Sequence, residues 1–258
     1  MPLPANHAFL TVGQRRIEVV HHPPPPRRPT IVFLHEGLGS VAQWRGFPER
    51  VATAANCGAF VYSRFNNGAS DAFGRPRSVS YMHDEARSVL PALLQAARIE
   101  RPILFGHSDG ASIALIFAGT YPRAAAGVVV EAPHLFVEDI SLASIAAIRE
   151  TYLATDFRAR MGRYHRDPAA AFFGWNDIWL HPAFAVWNIA GDLAALAVPV
   201  LAFQGVYDEY GTLAQLDALA RFGAVDRVML AACGHAPHRD REGAVIERTR
   251  QWVEEVLR

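Results

Sequence analysis

Lysine is absent: all 25 basic side chains of the 258-residue chain are arginine. That excludes a lysine general base, a Schiff-base lysine and the lysine of a phosphate-binding P-loop. Cysteine is nearly as scarce. Cys57 and Cys233 alone build neither a disulfide framework nor a four-cysteine zinc site, and both are expected as buried thiols. Net charge is missing too, with 25 acidic groups against 25 basic ones. A chain without a basic face is a poor electrostatic partner for nucleic acid. No uncharged apolar run approaches the ~18 residues of a membrane span, and the segment MPLPANHAFLTVG lacks a basic stretch followed by an apolar one. The expectation is a cytoplasmic protein with no membrane and no nucleic-acid partner; oligomeric state leaves no mark in the sequence.

What is abundant is apolar surface. Half the residues are hydrophobic (51%) and only 19% are charged, and a chain of this length buries about three quarters of its unfolded surface in one core. Residues 8–12 and 15–20 read as a hairpin about Gly13-Gln14, followed by a stiff connector, His21-His22-Pro23-Pro24-Pro25-Pro26. His21 and His22 are read there as surface loop residues.

Six short, continuous apolar runs come next, at 30–34, 59–62, 103–105, 127–130, 198–203 and 227–230. Continuous runs suit strands covered on both faces of a parallel sheet. Helical patterns separate most of them, at 78–97 (with a kink expected at Pro91), 110–121, 213–222 and 242–257. Alternation of this kind predicts a doubly wound, mostly parallel α/β fold. From about 134 to 196 the strand signal stops, and ten of the 27 aromatic residues fall there. A structureless loop so long is improbable, so this stretch is expected as a helical insertion. The division is then a core of 1–133 and 197–258 with the insertion at 134–196.

The strongest chemical signal is Gly106-His107-Ser108-Asp109-Gly110, which directly follows one apolar strand and directly precedes a helix. This is G-x-S-x-G in its meaningful context: a nucleophile on a tight strand-to-helix turn, facing the positive end of the helix dipole. A serine hydroxyl needs a base, and an acid followed by a histidine is expected later in the chain. Asp208, in Gln204-Gly205-Val206-Tyr207-Asp208, and His235, in Cys233-Gly234-His235, each follow a strand end, where open α/β sheets place their sites. Glu209 and His238 are the respective rivals.

Together with His35-Glu36-Gly37-Leu38-Gly39-Ser40, these motifs resemble the α/β-hydrolase superfamily, from about residue 8 to the end, in the subgroup with a helical cap after the sixth strand. The resemblance implies a serine hydrolase that needs no metal or organic cofactor and acts on a small or medium carboxylic ester. A carbon–carbon hydrolase, a lactonase or an acyltransferase is the alternative, and a non-catalytic binding protein is a third. It also implies an oxyanion hole from the amides of Gly37 and Asp109. Glu36 departs from the glycine usual after the histidine; it either repels anionic substrates or turns away into a structural pair, the latter being expected. Asp109 is expected to stabilise the helix start, His35 to brace the oxyanion loop, and Arg64, in Arg64-Phe65-Asn66-Asn67-Gly68, to brace a loop. Glu36, Glu131, His134, Trp175 and Trp179 are the candidate pocket residues, for an ester-like substrate whose classes include aromatic ones.

Overall fold

The computed structural model describes residues 6–74 and 76–258; the first five residues, part of the segment read for a leader, lie outside the described residues. Among the described residues eight strands run in chain order: β1 (His7–Val12), β2 (Arg15–His22), β3 (Thr30–Leu34), β4 (Gly58–Tyr62), β5 (Ile103–His107), β6 (Gly127–Glu131), β7 (Val200–Gly205) and β8 (Val225–Leu230). They form one sheet in the order β1-β2-β4-β3-β5-β6-β7-β8. β1 and β2 form an antiparallel hairpin and β2 meets β4 antiparallel, while every pairing from β4 through β8 is parallel. The first hairpin reaches further than its apolar pattern suggests. His21 and His22 continue β2 and pair with Phe60 and Ala59 of β4, so they are strand residues, because backbone pairing extends up to the proline that lacks a donor.

The helices are α1 (Phe47–Ala54), α2 (Tyr81–Asp84), α3 (Leu90–Ala97), α4 (Asp109–Thr120), α5 (Asp139–Ala154), α6 (Phe157–Met161), α7 (Pro168–Trp179), α8 (Ala214–Leu219), α9 (Pro237–Asp240) and α10 (Glu242–Val256). A π-helical turn, Glu85–Val89, joins α2 to α3. It lies directly before Pro91, whose ring and missing N–H prevent a regular α-helical ladder there. The central strands β3 to β7 are buried along their whole length, because apolar layers cover both faces. One layer gathers α3, α4 and part of the 134–196 stretch over Val32, Leu104 and Val130. The other packs Trp44, Phe47, Val245 and Trp252 on Phe33, Phe105 and Phe203. Between β6 and β7 the structure has α5, α6, α7 and two short 3-10 turns, with a separate hydrophobic nucleus of Tyr152, Met161, Ala171 and Phe172. Among the described residues, no helix is long and apolar enough to cross a membrane.

Two glycines let α4 sit against the sheet. A Cβ on Gly106 would lie 2.3 Å from the Gly110 carbonyl oxygen, and one on Gly110 would lie 2.0 Å from that of Leu34. Both contacts are far inside van der Waals range and involve backbone, so neither position tolerates a side chain.

Candidate active site

Ser108 stands between β5 and α4 with φ 53° and ψ −118°. A non-glycine residue at positive φ is strained. The strain is held by the buried strand on one side and, on the other, by a helix whose first turn bonds back to the Ser108 carbonyl, from the amides of Ala111 and Ser112. Its Oγ lies 2.9 Å from Nε2 of His235, on the loop after β8. On the far side of that ring, Nδ1 lies 2.9 Å from both carboxylate oxygens of Asp208. An ionised carboxylate accepts only, so Nδ1 carries the ring proton and leaves Nε2 free to accept from Ser108.

The Asp208 carboxylate is held by further donors. The Gln204 side-chain amide donates to Oδ2 at 2.6 Å, and the backbone amides of Tyr210 and Gly211 donate to Oδ1 at 2.7 and 3.2 Å. Burial alone would raise its pKa, but the bonds and charge of His235 and the Tyr210 amide outweigh that and hold it below the ordinary value. Glu209 reaches the pocket wall without joining this relay. His238 turns away altogether, its Nδ1 donating to Glu131 at 2.6 Å.

A cavity of about 450 Å³ opens above Ser108. Its apolar wall comes from Leu38, Ile145, Phe157, Trp175, Trp179 and Tyr210, and its charged rim from Glu36, Glu209, Arg239 and Asp240. Glu36, His134, Trp175 and Trp179 are among its lining residues. Glu131 is not. It is fully buried at the end of β6, paired with His238 behind the serine, and it is no part of the lining. Strand alternation sends its side chain to the opposite face of the sheet from the pocket.

Gly37 and Asp109 both line the cavity, and among the described residues neither backbone N–H has a partner in the protein. Trp175 presses closely on Gly37: a Cβ there would lie 2.2 Å from its indole Nε1. The Asp109 carboxylate does not serve the helix amides. It accepts from Tyr81 Oη at 2.5 Å and from Trp179 Nε1 at 3.2 Å, and lies 3.6 Å from Arg64. These contacts tie the start of α4 to the end of α7.

Glu36 both lines the cavity and is paired. Oε2 lies 3.7 Å from His107 Nδ1, an ion-pair separation too long for a hydrogen bond, and Oε1 lies 3.9 Å from Arg239. Burial works against its charge, but His107 overcomes this and holds the carboxyl well below its usual range. His107 responds in kind: burial would lower its pKa, but Glu36 raises it. Its other nitrogen donates to the His235 carbonyl at 2.7 Å. His107, Glu131 and His238 form a buried group whose ligand-type atoms lie within 4.8 Å of one another. Because the Glu131–His238 bond and the His107–His235 bond already occupy it, its arrangement is that of a hydrogen-bonded support.

His134 is packed edge-on against Trp179 and lies 5.7 Å, ring to ring, from His235. Burial first, and then the charge of His235, push its pKa down to about 3, so it is neutral. Cys57 and Cys233 are buried free thiols.

Several contributors lay outside the sequence reading: Tyr81, Asn67, Ser112, Gln204 and His165. Gln204 stands in the same five residues as Asp208, and Asn67 three residues from Arg64 (in the Asn66-Asn67 pair), but neither spacing specifies a contact with a distant loop.

A profile of the alpha/beta hydrolase fold family matches residues 29–190. No curated protein matches at a significant level. Among solved structures, a 2-hydroxy-6-oxo-6-phenylhexa-2,4-dienoate hydrolase from a Rhodococcus species is 17% identical with a TM-score of 0.80, over 95% of this chain and 97% of that one. An enol-lactonase from Burkholderia xenovorans is 14% identical with a TM-score of 0.76, over 96% and 100%. A proline iminopeptidase from Mycobacterium smegmatis is 16% identical with a TM-score of 0.73, over 97% and 98%. At these identities the likeness is one of fold.

Proposed function

The chain belongs to the α/β-hydrolase fold family, and from that premise we propose that it is a serine hydrolase cleaving small or medium carboxylic esters. The observation that carries this reading is the continuous relay from Ser108 through His235 to Asp208, with both links at 2.9 Å, beneath a cavity of about 450 Å³. His235 accepts the Ser108 proton as Oγ attacks the ester carbonyl carbon, and Asp208 stabilises the resulting imidazolium. The amides of Gly37 and Asp109 are the donors to the oxyanion, each worth about 3 kcal/mol in such a site. Collapse of the tetrahedral species breaks the bond to the alkoxy group, which leaves with the proton from His235. Water, deprotonated by the same ring, then attacks the acyl-Ser108 carbonyl and releases the acid.

The helices between β6 and β7 serve in this reading as the cap. Trp175 and Trp179 of α7, Phe157 of α6 and Ile145 of α5 supply the apolar wall, which favours an apolar or ring-bearing acyl group. No step calls for a metal or an organic cofactor.

Labelling with a fluorophosphonate tests the proposal. The native protein is expected to react and Ser108→Ala is not; no reaction in either overturns it. A panel of simple esters, lactones and vinylogous diketones then assigns the bond. Ester turnover well above the other two supports the reading, whereas cleavage of a carbon–carbon bond or a lactone alone overturns it in favour of that other chemistry, lactone cleavage being what one structural neighbour is named for.

A further inference from the structure

Five consecutive carbonyl oxygens, from His35 to Gly39, are each held by a donor. Arg64 Nη1 donates to His35 O at 2.6 Å. Arg64 Nη2 and His35 Nδ1 both donate to Glu36 O, at 2.9 and 2.6 Å. Asn67 Nδ2 donates to the carbonyls of Gly37 and Gly39 at 3.3 and 3.0 Å, and His165 Nε2 donates to Leu38 O at 2.9 Å. Arg64, His35, Asn67 and His165 are buried and absent from the lining of the cavity above Ser108.

A planar trans peptide points its N–H opposite to its C=O, and the described residues contain no cis peptide. The unit that carries the Glu36 carbonyl also carries the Gly37 N–H. With that oxygen turned to Arg64 and His35, the N–H is turned the other way, toward the cavity that Gly37 lines. We propose that Arg64, with His35, is a positioning residue that fixes the Glu36–Gly37 peptide with its N–H facing the substrate carbonyl before substrate arrives. The inference rests on the serine-hydrolase reading of the same site.

Arg64 suits this work on three counts. A guanidinium is a rigid fork that spans two acceptors, here two successive carbonyls. Its charge is compensated by Asp109, 3.6 Å away, whose own backbone N–H is the second proposed oxyanion donor, so one side chain ties both halves of the hole together. His35 completes the clamp: burial and the neighbouring Arg64 charge keep its ring neutral, and Nε2 accepts from the Arg64 amide at 3.0 Å. Without the clamp the Glu36 carbonyl keeps one donor, the Gly39 N–H at 3.1 Å, and the peptide is held far less firmly against a flip that would present an oxygen where a donor is required.

The deciding variant is Arg64→Lys, which keeps a charge beside Asp109 but cannot span two carbonyls. We expect kcat to fall about 10²–10³-fold, as on loss of one oxyanion donor, with KM little changed. Affinity for a trifluoromethyl ketone, which forms an oxyanion on Ser108, should weaken in proportion, while affinity for the ether isostere lacking the carbonyl holds. Unchanged kcat and ketone affinity in a folded Arg64→Lys protein overturn the inference and leave Arg64 a structural residue. If that variant does not fold, His35→Gln decides, with a fall of about tenfold expected for one lost hydrogen bond and the same split between ketone and ether; equal loss for both ligands, or for neither, overturns the inference. A native protein that fluorophosphonate does not label overturns the serine-hydrolase reading itself, and the positioning role with it.

Discussion

Glu131 Oε2 and His238 Nδ1 are 2.6 Å apart in a pair that is buried on both sides. This separates the two histidines near the end of β8: His235 turns to Ser108, while His238 is committed to a carboxylate behind it. The His238 ring also packs at a tilt on Trp44, 4.9 Å between ring centres, and meets His107 edge-on at 4.8 Å. The pair therefore belongs to the support under the nucleophile.

Removing one member leaves the other buried without its hydrogen-bond partner, which costs about 1–3 kcal/mol. Glu131→Leu is expected to lower the urea midpoint substantially while kcat, measured well below that midpoint, stays within a few-fold of the native value. A large fall in kcat with unchanged stability would instead give the pair a direct part in the reaction.

Asp208→Asn places an amide where a carboxylate now accepts from Nδ1 of His235. It is expected to favour the wrong ring tautomer, so kcat should fall by about 10³–10⁴-fold with an unchanged circular dichroism spectrum. Near-native turnover would transfer the acid role to another group, with Glu209 the first to test.

His134 gives a pH signature. Its pKa of about 3 in the folded protein lies below the ordinary 6.5, so on acidification the unfolded chain takes up a proton that the folded chain does not. Stability is therefore lost as pH falls from about 6.5 toward 3, at about 1.4 kcal/mol per pH unit within that window. Urea unfolding at a series of pH values should show this slope reduced by about that amount in His134→Phe. Parallel curves for the two proteins would mean that the ring protonates in the folded state.

Gly37→Ala drives a methyl group into the Trp175 indole, 2.2 Å from Nε1. Both the tryptophan and the peptide bearing the proposed oxyanion donor must shift. Turnover is expected to fall at least tenfold, with a smaller effect on melting temperature, because both residues of the contact line the cavity. Retention of full activity would show that Trp175 yields freely.

Much of the sheet was legible because buried parallel strands are continuous apolar runs. The pattern at 30–34 matches β3 to the residue, while β5 and β6 run on beyond their apolar ends through His107 and Glu131, polar residues that hydrophobic periodicity ignores. Helix α1 carried no recognised signal, and α9, four residues after a loop, is too short to show a period. For the site, Ser108, Asp208 and His235 could be named because each follows a strand end. Glu131, at a strand end too, was misplaced because chain position does not say which way a side chain points.

The order of elements, the tight turn at Ser108 and the absence of lysine chemistry were determined by local sequence, because strand burial, turn geometry and residue chemistry depend on near neighbours. Which donor meets which oxygen was decided only by folding. Arg64 and the carbonyls of His35 and Glu36, or Asp109 and Trp179, are far apart in the chain and meet because β3, β4, β5 and the helices after β6 converge at one end of the sheet. Contacts of that kind are set by strand order and packing, which no local spacing encodes.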